Sequence, residues 1–161
     1  MNRIRVEAIP TKAADRIRRD RDDGHGNVGL EPILVDEHPG YICRHCLRDP
    51  EVGESVYLFS YSPFGRAVPY RSVGPIFVHT TDCTRYDRAD ELPISLRHRL
   101  LSFRGYGSND RMVAADVAPG VEADDMLDRL FRDPAVSYVD IHNARPGCFN
   151  CRVYRDEQGA S

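Results

Sequence analysis

Cysteine and histidine carry the most reactive chemistry in this chain, and four of its five cysteines fall in two pairs, Cys43-x-x-Cys46 and Cys148-x-x-Cys151. A tight turn can aim both thiolates of such a pair at one ion, and four thiolates complete the tetrahedron that zinc prefers. A long segment separates the two pairs, unlike the short loop of a zinc finger, and His79 with Cys83 offers a substitute for the second pair. Zinc held in this way is expected to be structural. Against Cys148 and Cys151 as a chelating pair stands their place at the head of a predicted strand, where residues three apart face opposite sides. Glycine follows neither pair, as it often does in zinc knuckles, so buried inert thiols compete with the metal reading. Redox chemistry at Cys43 and Cys46 is disfavoured, because Arg48-Asp49-Pro50 follows where a helix would be needed to acidify a thiol.

A second constellation centres on His142 and Cys148, on either side of the turn Ala144-Arg145-Pro146-Gly147. Across a hairpin, imidazole and thiol become neighbours, which is the arrangement thiolate activation needs. Asp140 shares the face of His142 and is expected to orient it. Arg104 and Tyr106 on another strand suit a carboxylate or phosphate, and His79 at a strand end supplies a second base. The expected pocket therefore uses His142, Cys148, His79 and Arg104, and would make Cys148 the thiol most sensitive to alkylation. Each residue also has a plain explanation: a histidine before a turn caps backbone groups, a cysteine after a glycine packs as a small hydrophobe, and an arginine pairs with an acid. A third class is an interaction protein without chemistry, docking a partner through an aromatic loop around Tyr61, Phe64 and Tyr70.

The elements that must position these groups follow from periodicity. Ile4 and Val6 alternate with Arg3, Arg5 and Glu7 as a half-buried strand that Pro10 ends, and Thr11 is expected to cap a helix running to about Arg21. Residues 24–40 read as loop with a short strand at Ile33 to Val35. Val56 to Tyr61 and Ile76 to Val78 are rich in β-branched and aromatic residues, and the prolines between them demand a loop. Pro93 opens a short helix with Leu96, Leu100 and Leu101 at helical spacing. A strand through Phe103 and Tyr106 turns at Gly107 to Asp110 and returns through Val113, Ala115 and Val117. Met126, Leu127, Leu130 and Phe131 stripe a helix from about Glu122 to Arg132, followed by a hairpin of Val136 to Ile141 and Phe149 to Tyr154. The expected fold is α+β, a mainly antiparallel sheet with two or three short helices in a single layer of helix on sheet. Residues 1–40 would supply a strand, helix and loop packed on a main domain of 41–155, and 156–161 a frayed tail.

With 161 residues, 41% hydrophobic and 29% charged, the chain can bury a core, which excludes wholesale disorder. No apolar run reaches membrane-spanning length, and Arg3, Arg5 and Glu7 occupy the place of a signal peptide's apolar segment. A cytoplasmic protein without a membrane partner is expected, with thiols in place of disulfides. Nearly every basic residue is arginine, yet Arg16, Arg18, Arg19 and Arg21 interleave with Asp15, Asp20, Asp22 and Asp23, and the net charge is −3. Nucleic acid is therefore not an expected partner.

Several segments carry a resemblance: Tyr41-Ile42-Cys43-Arg44, Pro69-Tyr70, Gly74-Pro75-Ile76-Phe77-Val78-His79, Leu100 to Tyr106, His142-Asn143-Ala144-Arg145-Pro146-Gly147-Cys148-Phe149 and Arg152-Val153-Tyr154-Arg155. Together they resemble the bacterial DUF1203 family, domains of unknown function, over about Cys43 to Arg155. The resemblance implies no activity. The reading as a whole is of a small-molecule pocket lined by His, Cys and Arg, with a zinc-binding structural or interaction module on Cys43, Cys46, Cys148 and Cys151 as the alternative.

Overall fold

The computed structural model describes residues 3–156 and is built from two antiparallel sheets and three short helices. The larger sheet has the order β1 (Ile4–Glu7), β8 (Phe149–Arg155), β7 (Tyr138–Asn143), β5 (Leu100–Tyr106), β6 (Met112–Pro119). The smaller one runs β2 (Ile33–Leu34), β3 (Ser55–Tyr61), β4 (Gly74–His79). This is the α+β arrangement, mainly antiparallel, that strand-rich sequence with few helical stripes implies.

Alternation along the central strands gives the larger sheet two unlike faces. Leu101 and Phe103 of β5, Val139 and Ile141 of β7, and Cys151 and Val153 of β8 share a buried apolar cluster. Helix α3 (Ala123–Leu130) adds Met126, Leu127 and Leu130 to it, followed by Phe131, so the helical stripe and the strand alternation meet in one core. Each such side chain contributes roughly 1.5–3 kcal/mol by leaving water. The opposite face carries polar side chains beside a cluster of tyrosines, Tyr106, Tyr138 and Tyr154. Ser102 pairs with His142 and Arg104 with Asp140 between β5 and β7, and Asp140 pairs with Arg152 between β7 and β8.

The smaller sheet packs Tyr57, Phe59, Ile76 and Val78 against Ala14 and Ile17 of α1 (Thr11–Asp20). Thr11 does not cap this helix. Pro10 occupies the cap position, and the Thr11 hydroxyl lies 2.9 Å from His45 Nε2 instead. Leu100 and Leu101 also depart from expectation: α2 spans only Ile94–Arg97, and both leucines belong to β5, where hydrogen bonding to strands on both sides overrides their helical spacing. Gly120, just after β6, has a steric reason. A Cβ there would sit 1.9 Å from the Leu96 carbonyl oxygen.

The loop between β3 and β4 folds back on the polar face. Phe64 is buried edge-on against Tyr106, and Tyr61 lies against Phe149, so among the loop's aromatic rings Tyr70 is the one substantially exposed. The acidic and basic residues of α1 pair locally, Arg18 with Asp15 and Arg19 with Asp20. Asp156 extends the β1–β8 pairing by donating its N–H to Arg3 O, and the rest of the expected frayed tail lies outside the described residues. Among those described, no helix is long and apolar enough to cross a membrane.

Candidate functional site

The Cys43-x-x-Cys46 segment is a tight turn closed by two backbone bonds, Leu47 N–H to Cys43 O at 2.8 Å and Cys43 N–H to Arg48 O at 3.0 Å. Leu47 takes a left-handed conformation to close it. Arg44 N–H donates to Phe77 O, which docks the turn beside β4. His79 ends β4, and Cys83 follows in the next loop. The result is a cluster of Cys43, Cys46, His79 and Cys83 whose ligand atoms all lie within 4.8 Å of one another. Cys43 Sγ and Cys83 Sγ are 3.9 Å apart, and Cys46 Sγ is 3.5 Å from His79 Nδ1. A zinc tetrahedron has edges of about 3.8 Å between sulfurs and about 3.5 Å from sulfur to nitrogen. The two pairs of atoms already stand at those separations.

A second layer of side chains holds these four. Arg18 of α1 donates from Nη2 to Cys83 Sγ at 3.2 Å and from Nε to His79 O at 3.1 Å. His45 Nδ1 lies 3.1 Å from Cys83 Sγ, and its Nε2 contacts Thr11. Burial, with Arg18 nearby, lowers the proton affinity of His45. Beyond His79, Glu54 Oε1 stands 3.7 Å from Nε2, while Arg48 forks Glu54 and brings Nη2 to 3.1 Å. Such partners orient metal-ligating groups and spread the charge of bound thiolates. Hydrogen bonds from Cys46 and Cys83 to the Cys43 sulfur push that thiol well below its ordinary range, while sharing protons with Cys43 pushes Cys46 up.

Cys148 and Cys151 do not join the cluster. Cys151 is sealed in the apolar core on the other face of β8, where burial pushes its thiol up. Cys148, just before β8, lines a cavity of about 210 Å³ together with Arg104, His142, Tyr61, Gly74 and Gly147. Three of the four side chains expected in a pocket thus meet around one space; His79 belongs to the metal-type cluster instead. The expected contact between imidazole and thiol does not form. His142 Nδ1 is 2.9 Å from Gly147 O, and Cys148 Sγ accepts from Asn143 Nδ2 at 3.2 Å and from Arg44 Nη2 at 3.3 Å. Asp140 does not orient His142 either, because Arg152 takes both of its carboxylate oxygens at 2.6 and 2.9 Å. Tyr106 stacks on Tyr138 and belongs to the aromatic cluster. Gly147, with φ of 81°, supplies the left-handed residue that presents its carbonyl to the ring.

Burial drives His142 down to about 4, with Arg104, Arg44 and Arg152 adding to the effect against the Gly147 carbonyl. The ring is neutral at pH 7. A wider cleft of about 500 Å³ runs past Cys46, but the charged side chains on its walls are held in ion pairs, Arg88 with Glu91 across the cleft lining, and Asp49 and Arg48 with Arg99 and Glu54 outside it. Sequence reasoning reached Cys83 only as a substitute ligand. Its signal was the His-x-x-x-Cys spacing at a strand end, which resembles the second half of many zinc sites. Arg18, His45 and Glu54 carried no such signal.

A mainly antiparallel α+β fold with a Cys/His cluster at its smaller sheet and a cavity lined by residues of both sheets defines the class of protein. The chain belongs to the DUF1203 family, described as a protein of unknown function, whose model matches residues 40–155. All four cluster residues and Arg104, His142 and Cys148 fall inside the match, whereas Thr11 and Arg18 precede it. No curated protein and no solved structure matches the chain.

Proposed function

We propose that this is a metal-binding domain in which Cys43, Cys46, His79 and Cys83 hold one zinc ion with a structural role. The reading is supported by four potential ligand atoms gathered within 4.8 Å. Three thiolates and an imidazole suit zinc over calcium or magnesium, which take oxygen ligands. Four protein ligands leave no open coordination position, which is the pattern of a structural site. With Nδ1 on the metal, His79 carries its proton on Nε2, where Glu54 is the acceptor and the close approach of Arg48 must loosen. The ion would tie the turn before β3 to the end of β4 and the loop beyond it. Elemental analysis of protein purified without added metal is the test: one zinc per chain is expected, and cobalt substitution should give the intense visible bands of tetrahedral thiolate coordination. A stoichiometry near zero, with unchanged thermal stability in chelator, would remove the proposal.

A second reading concerns the 210 Å³ cavity as a small-molecule site. It is favoured by the convergence of Arg104, His142 and Cys148 on that one space.

A further inference from the structure

We infer that this cavity binds a small oxyanion bearing its own hydroxyl donor, with Arg104 taking the charge and His142 Nε2 accepting the donor. The inference rests on reading the cavity as a ligand site.

The charge requirement follows from who is paired with whom. Arg104 donates from Nε to Ser102 Oγ at 3.4 Å and also hydrogen-bonds the Tyr106 hydroxyl, but has no ion pair among the described residues. The carboxylate opposite it, Asp140, is already forked by Arg152. Arg44 is fully buried, with its donors committed to Ile42 O, Phe149 O and Cys148 Sγ, and no carboxylate balances it among the described residues. Positive charge is thus in excess around the space, and the nearest guanidinium with donors to spare is Arg104. A planar fork of this kind binds carboxylate or phosphate oxygens in pairs.

The donor requirement follows from the tautomer. A carbonyl only accepts, so the 2.9 Å contact with Gly147 O fixes a proton on His142 Nδ1 and leaves a lone pair on Nε2. Nε2 has no hydrogen bond among the described residues, and it is not among the sealed polar atoms that lack a partner, so it is open to the cavity. An anion without an O–H, such as sulfate or acetate, would set oxygen lone pairs against that nitrogen. Hydrogen phosphate or a 2-hydroxycarboxylate brings an O–H to it. The volume, below the range of about 300–1,000 Å³ usual for drug-sized ligands, limits the guest to a few heavy atoms beyond the anionic group.

The test is calorimetric titration of the metal-replete protein at constant ionic strength with phosphate, sulfate, glycolate, acetate and, as a neutral hydroxyl probe, glycerol. Phosphate or glycolate should bind, whichever binds naming the source of the oxyanion, and the hydroxyl-free partner of each pair should bind at least about tenfold more weakly. Arg104→Gln should abolish binding, and His142→Phe should bring each pair of affinities together. Equal affinities within the pairs, or binding that survives Arg104→Gln, would overturn the inference. Glycerol binding without anion binding would overturn it too while leaving the cavity a ligand site, whereas no binding of any probe would overturn both. Should His142→Phe fail to fold, the wild-type Nε2 resonance decides: it should shift as phosphate or glycolate saturates, and an unmoved signal counts against the inference.

Discussion

The two Cys/His regions of this molecule use the same side chains to opposite ends. In the cluster on the smaller sheet, three sulfurs and a ring nitrogen face one another, and Arg18, His45 and Glu54 satisfy what remains. In the cavity lined by both sheets, Cys148 and His142 turn to separate backbone and side-chain partners, and Arg104 is left with donors facing open space. Mutual satisfaction marks a group that holds the fold, and unused valence directed at a cavity marks one that awaits a guest. Arg44 joins the two regions, since it lies between two of the cluster cysteines and donates to Cys148 at the cavity wall.

The largest effect that tests this contrast is loss of the proposed metal. Cys83→Ala, or chelation, should cost folding free energy up to on the order of 10 kcal/mol, the scale of structural zinc sites. Cys151→Ala should cost only the few kcal/mol of a small core cavity. Denaturant titrations of the two variants check it, and equal losses would erase the distinction between ligand and filler.

Next comes the buried pair on the polar face. Removing Arg152 as Arg152→Ala strands the Asp140 carboxylate in the interior, and about 3–5 kcal/mol should be lost. The double variant with Asp140→Asn should recover part of this, as a double-mutant cycle would reveal.

His142 then sharpens the cavity side. Burial holds it near 4 against an ordinary value of 6.5, so as pH falls the unfolded chain takes up a proton that the folded ring refuses. Its contribution is complete above about pH 7 and is lost progressively down to about pH 4, on the order of 3 kcal/mol in all. Stability curves of wild type and His142→Gln should therefore converge across that window; parallel curves would mean the ring is not held neutral. Smallest of all, Arg104→Gln should leave stability within about 0.5 kcal/mol, because the side chain has no ion pair to lose. A loss of several kcal/mol would show that Arg104 is structural and close the gap between the two regions.

Much of the fold was legible in local pattern. The alternation of β1, the β-branched and aromatic run of β3, the stripe of α3 and the Ala144-to-Gly147 turn all sit where periodicity, composition and turn chemistry put them, because local propensity and burial agree there. Leu100 and Leu101 failed because central strand pairing is a non-local effect that overrode a helical spacing.

For the site, the sequence by itself determined the candidates: a chelating turn at Cys43 and Cys46, a hairpin presenting His142 and Cys148, and His79 with Cys83 at ligand spacing. Only the tertiary structure decided the partnerships. Strand order brings the end of β4 beside the Cys43 turn and sends Cys151 into the opposite face of β8, so His79 and Cys83 complete the cluster and the second cysteine pair is split. Contacts between residues distant in sequence depend on which strands become neighbours and which face each side chain takes, and no local spacing encodes either.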